Sequence, residues 1–179
     1  HGAVFEDVDR MLDEDGLNLA RLPKGLVPFH GDGVTAFEEH VSDALAVVAD
    51  HHGEAWLHFT VSPDHREAIE DHLSDSDADL SFSEQDPATD TIALGENDEP
   101  FRDDAGHLLF RPGGHGALIR NLDATSGYIV LIKNIDYVAV GKWREAARLS
   151  DQHLTGILLQ RQEMAHRWWE RLQEDADEV

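Results

Sequence analysis

Cysteine is absent from this chain of 179 residues, and lysine occurs only three times. The lack of cysteine excludes a disulfide framework, a thiolate nucleophile and a cysteine-based zinc site. Long apolar runs are also missing, since the run at residues 128–132 is far too short to cross a bilayer, and no signal peptide is recognisable. We therefore predict a cytoplasmic protein that makes no contact with a membrane.

Positive charge is scarce, because 37 acidic residues outnumber 14 lysines and arginines and give a formal net charge of −23. Phosphate would be repelled over most of such a surface, which excludes non-specific binding to nucleic acid. The acidic residues are spread along the whole chain, and the basic ones are mostly arginine. This composition resembles that of proteins from salt-accumulating organisms.

High salt is expected to stabilise this protein because it screens the repulsion between the acidic side chains. We predict that the melting temperature rises from dilute buffer to multimolar KCl. Thermal unfolding followed by circular dichroism measures this. Equal melting temperatures in the two buffers would contradict the prediction.

The order of strands and helices predicts an α/β fold class. Apolar residues at helical spacing predict a helix over residues 35–51 that begins with a capping box of Thr35 and Glu38. Strands are predicted at residues 55–61 and 80–83, on either side of a further helix. We expect residues 1–179 to form a single domain, since this length suffices for one core.

The second half of the chain is also predicted to contain both strands and helices. Extended segments with a hairpin turn at residues 104–106 are followed by a glycine-rich helix start at residues 113–116. The apolar run at residues 128–133 predicts a buried strand, and a long helix is predicted from residue 142 to residue 174.

Three segments carry groups that phosphate or metal chemistry requires: LPKGLVPF, FRPGGHGALIRNL and YIVLIKNIDY. Lys24 in the first segment is a candidate cation for phosphate, to which Arg111 and Lys133 would add charge. Asp136 follows the predicted buried strand, where its carboxylate would hold magnesium at the carboxyl edge of the sheet. The alternatives are a solvated surface lysine and a carboxylate that caps a turn.

The glycines of the second segment let a backbone approach a base or phosphate closely, and the helix start there offers free N–H groups. Gly113, Gly114 and His115 are therefore candidate nucleotide-binding residues, although a plain turn has the same pattern. Gln85 and Thr60 are further candidates for the nucleotide, with turn capping as the alternative. The twelve histidines match no standard zinc spacing, and Gly-x-Ser-x-Gly is missing, which disfavours a serine hydrolase.

Several segments read together resemble the family known as domain of unknown function 4301. They are LPKGLVPF, TAFEEH, LHFTVSPDH, SFSEQDPATDTIAL, PFRDDAGHLLFRPGGHGAL and IKNID. More weakly, the same segments resemble the uridylyltransferases that make UDP-sugars. The shared features are a Pro-Lys-Gly segment, a Phe-x-x-Gln segment, a Pro-Gly-Gly-x-Gly helix start and a strand ending in Asn-x-Asp, in this order.

This resemblance implies a three-layer αβα, Rossmann-like fold of the nucleotide-diphospho-sugar transferase (GT-A) type with a mixed, mostly parallel sheet. It also implies that Lys24 binds phosphate, that Gln85, Gly113 and Gly114 contact the base, and that Asp136 holds magnesium. Those enzymes carry a glycine-rich phosphate loop before the lysine. Residues 1–21 contain only two glycines, so we expect the chain to be part of a larger protein.

The predicted function is magnesium-assisted transfer of a nucleotidyl group to a sugar phosphate, with a nucleoside triphosphate or nucleotide-sugar as the other ligand. One alternative is a non-catalytic nucleotide-sugar sensor, or degenerate domain. Another is a protein-interaction domain in which Trp168 and Trp169 contact missing parts of the same protein or a second copy.

Overall fold

The computed structural model describes residues 8–13, 16, 19, 21–28, 33–95 and 97–177. Residues 8–12 are helical, and the helices whose bounds lie within the described ranges are α1 (Ala36–Val47), α2 (Arg66–His72), α3 (Ile119–Asp123) and α4 (Trp143–Asp177). The strands are β1 (Trp56–Val61), β2 (Asp79–Glu84), β3 (Thr91–Ile92) and β4 (Phe110–Arg111). Short 3-10 helices lie at Lys24–Leu26, Pro63–His65, Pro87–Thr89 and His115–Leu118. Within the described ranges, no helix has the length and apolar character that crossing a membrane requires.

A parallel pair of strands, β1 and β2, carries the core. The register runs from Trp56 beside Asp79 to Val61 beside Glu84, and α2 lies between the two strands in sequence. This β-α-β unit confirms the two strands and the helix predicted for this part of the chain. The mixture of helices and strands confirms the coarse α/β prediction.

Helix α1 packs on one face of this pair. The ring of Phe37 meets the ring of Phe59 edge-on at 5.1 Å between centroids, and Phe59 stacks with Phe82 at 6.0 Å. Burying one such side chain stabilises the fold by about 1.5–3 kcal/mol. The buried apolar cluster consists of Leu26, Phe37, Val41, Ala55, Val61, Ile69, Leu73 and Ala78.

The predicted capping box at the start of α1 is present. Thr35 Oγ1 accepts a hydrogen bond from the backbone N–H of Glu38, and the Glu38 carboxylate accepts one from the backbone N–H of Thr35. Burial opposes ionisation of Glu38, but these bonds and the nearby His72 outweigh it and hold the pKa of Glu38 below its ordinary value. The cap therefore fixes where α1 begins.

The predicted hairpin is also present, as an antiparallel pairing of β3 with β4. Its turn contains Gly106, whose φ of +82° is a backbone conformation that other residues rarely adopt. The backbone N–H of Asp103 donates to the carbonyl of His107 across this turn. A bridge between Arg102 and Leu108 extends the pairing.

Four charged side chains connect α1 to the long helix α4. Glu39 is only 2% exposed, and its Oε1 lies 2.6 Å from Arg144 Nε and 3.6 Å from Arg148 Nη2. Arg148 Nε also donates to Asp43 Oδ1 at 2.8 Å. Because both carboxylates are buried and both arginines come from α4, these ion pairs fix the first turns of α4 against α1.

The prediction of a buried strand at residues 128–133 is wrong. The segment forms no strand, and Ile132 is 70% exposed. Within the described part of the chain, β1 and β2 pair only with each other, so the apolar run has no strand to pair with. Apolar composition alone predicted a strand that backbone hydrogen bonding does not support.

Candidate functional site

Two of the predicted site residues form an ion pair. Lys24 Nζ donates to Asp136 Oδ2 at 2.7 Å, although the two residues are 112 positions apart. Both side chains remain open to solvent, with 75% of Lys24 and 51% of Asp136 exposed. The pair is thus an accessible cation beside an accessible carboxylate.

The neighbours of these two residues explain why they meet. Gly25 lies against the ring of Phe37 and against Ile135, so closely that a Cβ on Gly25 would be 2.5 Å from Phe37 Cε2 and 2.9 Å from Ile135 Cγ1. The buried His40 donates from Nε2 to the Ile135 carbonyl at 3.1 Å. Packing of Gly25 and Ile135 therefore places Lys24 and Asp136 side by side.

Gly25→Ala tests this close packing. Because the added methyl group overlaps two core side chains, we expect the free energy of unfolding to fall by about 1–3 kcal/mol. Urea unfolding measures the change. Gly116→Ala is the matched control, since a Cβ on Gly116 meets nothing within 4 Å, and equal stabilities of the two variants would refute the packing argument.

Lys133, expected to add charge for phosphate, lies in an ion-pair network. Its Nζ is 2.7 Å from Asp151 Oδ2 and 3.3 Å from Asp43 Oδ2. Partial burial lowers the pKa of Lys133, but the two carboxylates outweigh this and raise the pKa above its ordinary value. The ammonium of Lys133 is therefore committed to carboxylates, and we assign it no phosphate.

A shallow pocket is lined by residues that flank Asp136 in the sequence. It has a volume of about 190 Å³ and is lined by Ile132, Lys133, Asn134 and Tyr137. Tyr137 is 75% exposed. This volume is below the roughly 300–1,000 Å³ typical of ligand pockets, so the pocket alone would enclose only part of a ligand of ordinary size.

Thr60 and Gln85 lie where the parallel strands end. Thr60 Oγ1 is 3.1 Å from Ser83 Oγ, and the Gln85 amide donates to Asp90 Oδ1 at 3.2 Å. Asn121 of α3 donates to Ser83 Oγ at 2.8 Å and to the Glu84 carbonyl at 2.9 Å. The carboxyl edge of the β1–β2 pair therefore carries hydroxyl and amide groups, in the region where α/β proteins bind ligands.

The glycines of the predicted nucleotide site differ in their surroundings. A Cβ on Gly113 would lie 3.0 Å from the Thr89 carbonyl oxygen, whereas one on Gly114 meets nothing within 4 Å. Gly114 precedes the 3-10 helix that His115 begins. Arg111 and His115 are exposed. Gly114 thus offers an open backbone surface, and Gly113 is packed against the turn that follows Gln85.

The predicted residues gather in two groups. Lys24 and Asp136 form the first, and the second lies around the end of β2, where Gln85 and Thr60 are joined by contacts to neighbouring turns. Most of residues 1–21, the segment that precedes the predicted phosphate-binding lysine, lie outside the described residues. Asn121 was not singled out from the sequence, because a lone asparagine in a helical segment carries no distinctive pattern.

The fit of magnesium to Asp136 follows from the carboxylate geometry. Oδ2 accepts from Lys24, which leaves Oδ1 for a cation. In the described ranges, no group of three or more histidine, aspartate or glutamate side chains is arranged to hold a metal. One carboxylate is adequate for magnesium only when phosphate and water complete its shell, so Asp136 would hold a magnesium ion only together with a phosphate-bearing ligand.

Comparison with known proteins gives one family and no individual relative. No curated protein and no solved structure matches the chain. A family model matches residues 2–179, which is nearly the whole sequence. The chain belongs to the family described as domain of unknown function (DUF4301).

Proposed function

We propose that this chain is a nucleotidyltransferase-like domain that binds a nucleotide or nucleotide-sugar with magnesium and transfers the nucleotidyl group to a sugar phosphate. The observation that carries the proposal is the pairing of Lys24 with Asp136 at 2.7 Å. Nucleotidyl transfer needs a cation for phosphate and a carboxylate for a metal within one site. The packing of Gly25 against Ile135 supplies both at one place.

Ligand binding would separate this ion pair at little cost. An exposed pair contributes about 0–1 kcal/mol to stability, so phosphate can take over the Lys24 ammonium. The Asp136 carboxylate is then free on both oxygens. Asp136 would hold magnesium, which would supply positive charge to the phosphates when bound, and Lys24 would neutralise the charge that builds on the phosphate oxygens during transfer.

The second group of residues would seat the rest of the ligand. In this proposal Gly114 gives a base or sugar close access to the backbone, while Gln85 and Thr60 offer hydrogen-bonding groups to the nucleotide. Arg111 and His115 would then contact phosphate from the exposed end of β4 and the turn after it. The same proposal includes a sheet of the GT-A type and a glycine-rich loop that the remainder of a larger protein supplies. It also includes a location in a cytoplasm rich in salt.

Calorimetry tests binding. UTP and a UDP-sugar are titrated into the protein in multimolar KCl, each with and without magnesium. We expect heat that depends on magnesium, and no heat with either ligand would end the proposal. Pyrophosphate release from UTP and glucose 1-phosphate then separates the enzyme from the sensor, because a sensor binds the nucleotide without releasing pyrophosphate.

A further inference from the structure

The second face of the parallel pair is polar beyond the exposed Trp56 at the start of β1. Along β1, His58 and Thr60 alternate with the apolar residues that face α1, and the register places them beside Ser81 and Ser83 of β2. Parallel sheets are normally covered by apolar contacts on both faces. Here His58 and Ser81 are exposed and Ser83 is half-buried, so this face presents hydrogen-bonding groups that a ligand can reach.

The hydrogen bonds on this face determine where the protons lie. Ser81 Oγ donates its single proton to the Leu57 carbonyl at 3.2 Å. His58 Nδ1, 2.9 Å from Ser81 Oγ, must then donate to that oxygen. A neutral imidazole with its proton on Nδ1 has Nε2 as an acceptor, and Ser83 Oγ lies 2.8 Å from Nε2. Ser83 therefore donates its hydroxyl proton to His58.

We propose that Ser83 and His58 form a nucleophile and general-base pair that acts on a carboxylic ester. A hydroxyl, an imidazole and a third group that fixes the imidazole tautomer make up the arrangement that activates serine in acyl transfer. Ser81 is the positioning residue, since it holds the proton of His58 on Nδ1. This inference does not depend on nucleotide binding by Lys24 and Asp136.

The charges around the pair favour a neutral substrate. Asp79 and Glu84 are the acidic residues of the two strands, and Arg66 lies 3.3 Å from the Glu84 carboxylate. In α3, which supplies Asn121, Arg120 is bound to Asp86 and Asp123 is a further acid. Because Arg66 and Arg120 are both paired with carboxylates, they offer an anionic substrate little compensating charge at Ser83, whereas an uncharged ester needs none.

Hydrolysis of the ester requires only Ser83, His58 and one water molecule. Ser83 Oγ attacks the ester carbonyl carbon while its proton passes to His58 Nε2. The C–O bond to the alcohol then breaks, and His58 returns the proton to the leaving alkoxide. Water then attacks the acyl carbon while His58 takes its proton. The C–O bond to Ser83 breaks, His58 returns the proton to Ser83 Oγ, and the carboxylic acid leaves. Asn121 Nδ2 donates to Ser83 Oγ at 2.8 Å and to the Glu84 carbonyl at 2.9 Å, which holds the Ser83 hydroxyl in place beside His58.

The absence of native cysteine permits a direct test. Ser83→Cys introduces the only thiol, whose pKa is measured from the rate of alkylation by iodoacetamide across the pH range. We expect the imidazole to lower this pKa by at least one unit from the usual value of about 8.5. In the double variant Ser83→Cys with His58→Gln, the pKa should return to its usual range, as in the control Ser74→Cys.

A thiol pKa that is the same with histidine and with glutamine at position 58 would overturn the proposal. Ser81→Ala in the Ser83→Cys background should raise the thiol pKa, and Ser81→Thr should restore it. The wild-type protein gives a second test that needs no variant, because nitrogen-15 NMR reports the tautomer of His58. A proton on Nε2 at neutral pH would also overturn the proposal.

The ester reaction itself is followed with p-nitrophenyl acetate. We expect acetylation of Ser83, located by mass spectrometry of peptides, at a rate roughly tenfold or more above that of His58→Gln. Equal acetylation of Ser74 and Ser83 would mean that Ser83 has no special reactivity. These measurements contain no nucleotide, whereas the nucleotide proposal is tested by calorimetry with UTP. A negative result for the Ser83–His58 pair is therefore distinguishable from a negative result for nucleotide binding.

Discussion

Arg148→Ala is expected to lower the free energy of unfolding by about 1.5–3 kcal/mol, because it removes one of the two cations that compensate each of two buried carboxylates. Glu39 is 2% and Asp43 7% exposed. Arg148 lies 3.6 Å from the first carboxylate and donates to the second at 2.8 Å. Glu39 retains Arg144 and Asp43 retains Lys133, so the variant weakens the compensation of both carboxylates without abolishing it.

Arg161→Ala is the matched control for this variant. Arg161 is an exposed arginine of the same helix, so its loss should change the free energy by less than about 0.5 kcal/mol. Urea unfolding at fixed salt measures both variants. A loss for Arg148→Ala no larger than that for Arg161→Ala would show that the buried charges do not hold α4 in place.

Lys24→Met is expected to weaken the binding of magnesium–UTP by about 10- to 100-fold. A charge-assisted hydrogen bond to phosphate contributes about 1.5–3 kcal/mol, and 1.4 kcal/mol corresponds to a factor of ten in affinity. Lys142→Met is the control, because Lys142 lies over the ring of Trp143 and has no place in the proposed site. Calorimetry measures both affinities.

Asp136→Asn distinguishes the contribution of magnesium to UTP binding from the contribution of the contact between Lys24 and phosphate. Because asparagine retains the size of the side chain but loses the charge that attracts magnesium, we expect the magnesium dependence of UTP binding to disappear. Asp123→Asn is the control, an exposed aspartate of α3. Retained magnesium dependence in Asp136→Asn would remove Asp136 from the proposed metal site.

Local signals in the sequence predicted the secondary structure well where one helix or turn determines the outcome. The capping box at Thr35 and the turn at Gly106 are encoded within a few residues, and both are present. The segment at residues 128–133 was predicted wrongly because strand formation depends on a distant hydrogen-bonding partner. No local pattern reports whether such a partner is available.

The sequence correctly predicted that Lys24 and Asp136 lie close together. The predicted reason, a buried strand that ends at Asp136, is not what the structure shows. Lys24 and Asp136 do lie together, but Asp136 follows an irregular segment in a turn and does not end a buried strand. Their approach depends on Gly25 and Ile135, whose contact spans more than a hundred residues of sequence. The pairing of His58 with Ser83 depends on the register of two parallel strands, which composition does not reveal.

The 112 positions between Lys24 and Asp136 have a consequence for folding. Bringing such remote residues together requires closure of a long loop, whose entropic cost grows with the logarithm of its length. A ligand that bridges both side chains binds only molecules in which this loop is closed, so it stabilises the native state by mass action. Occupancy of the site and resistance to unfolding would then rise together.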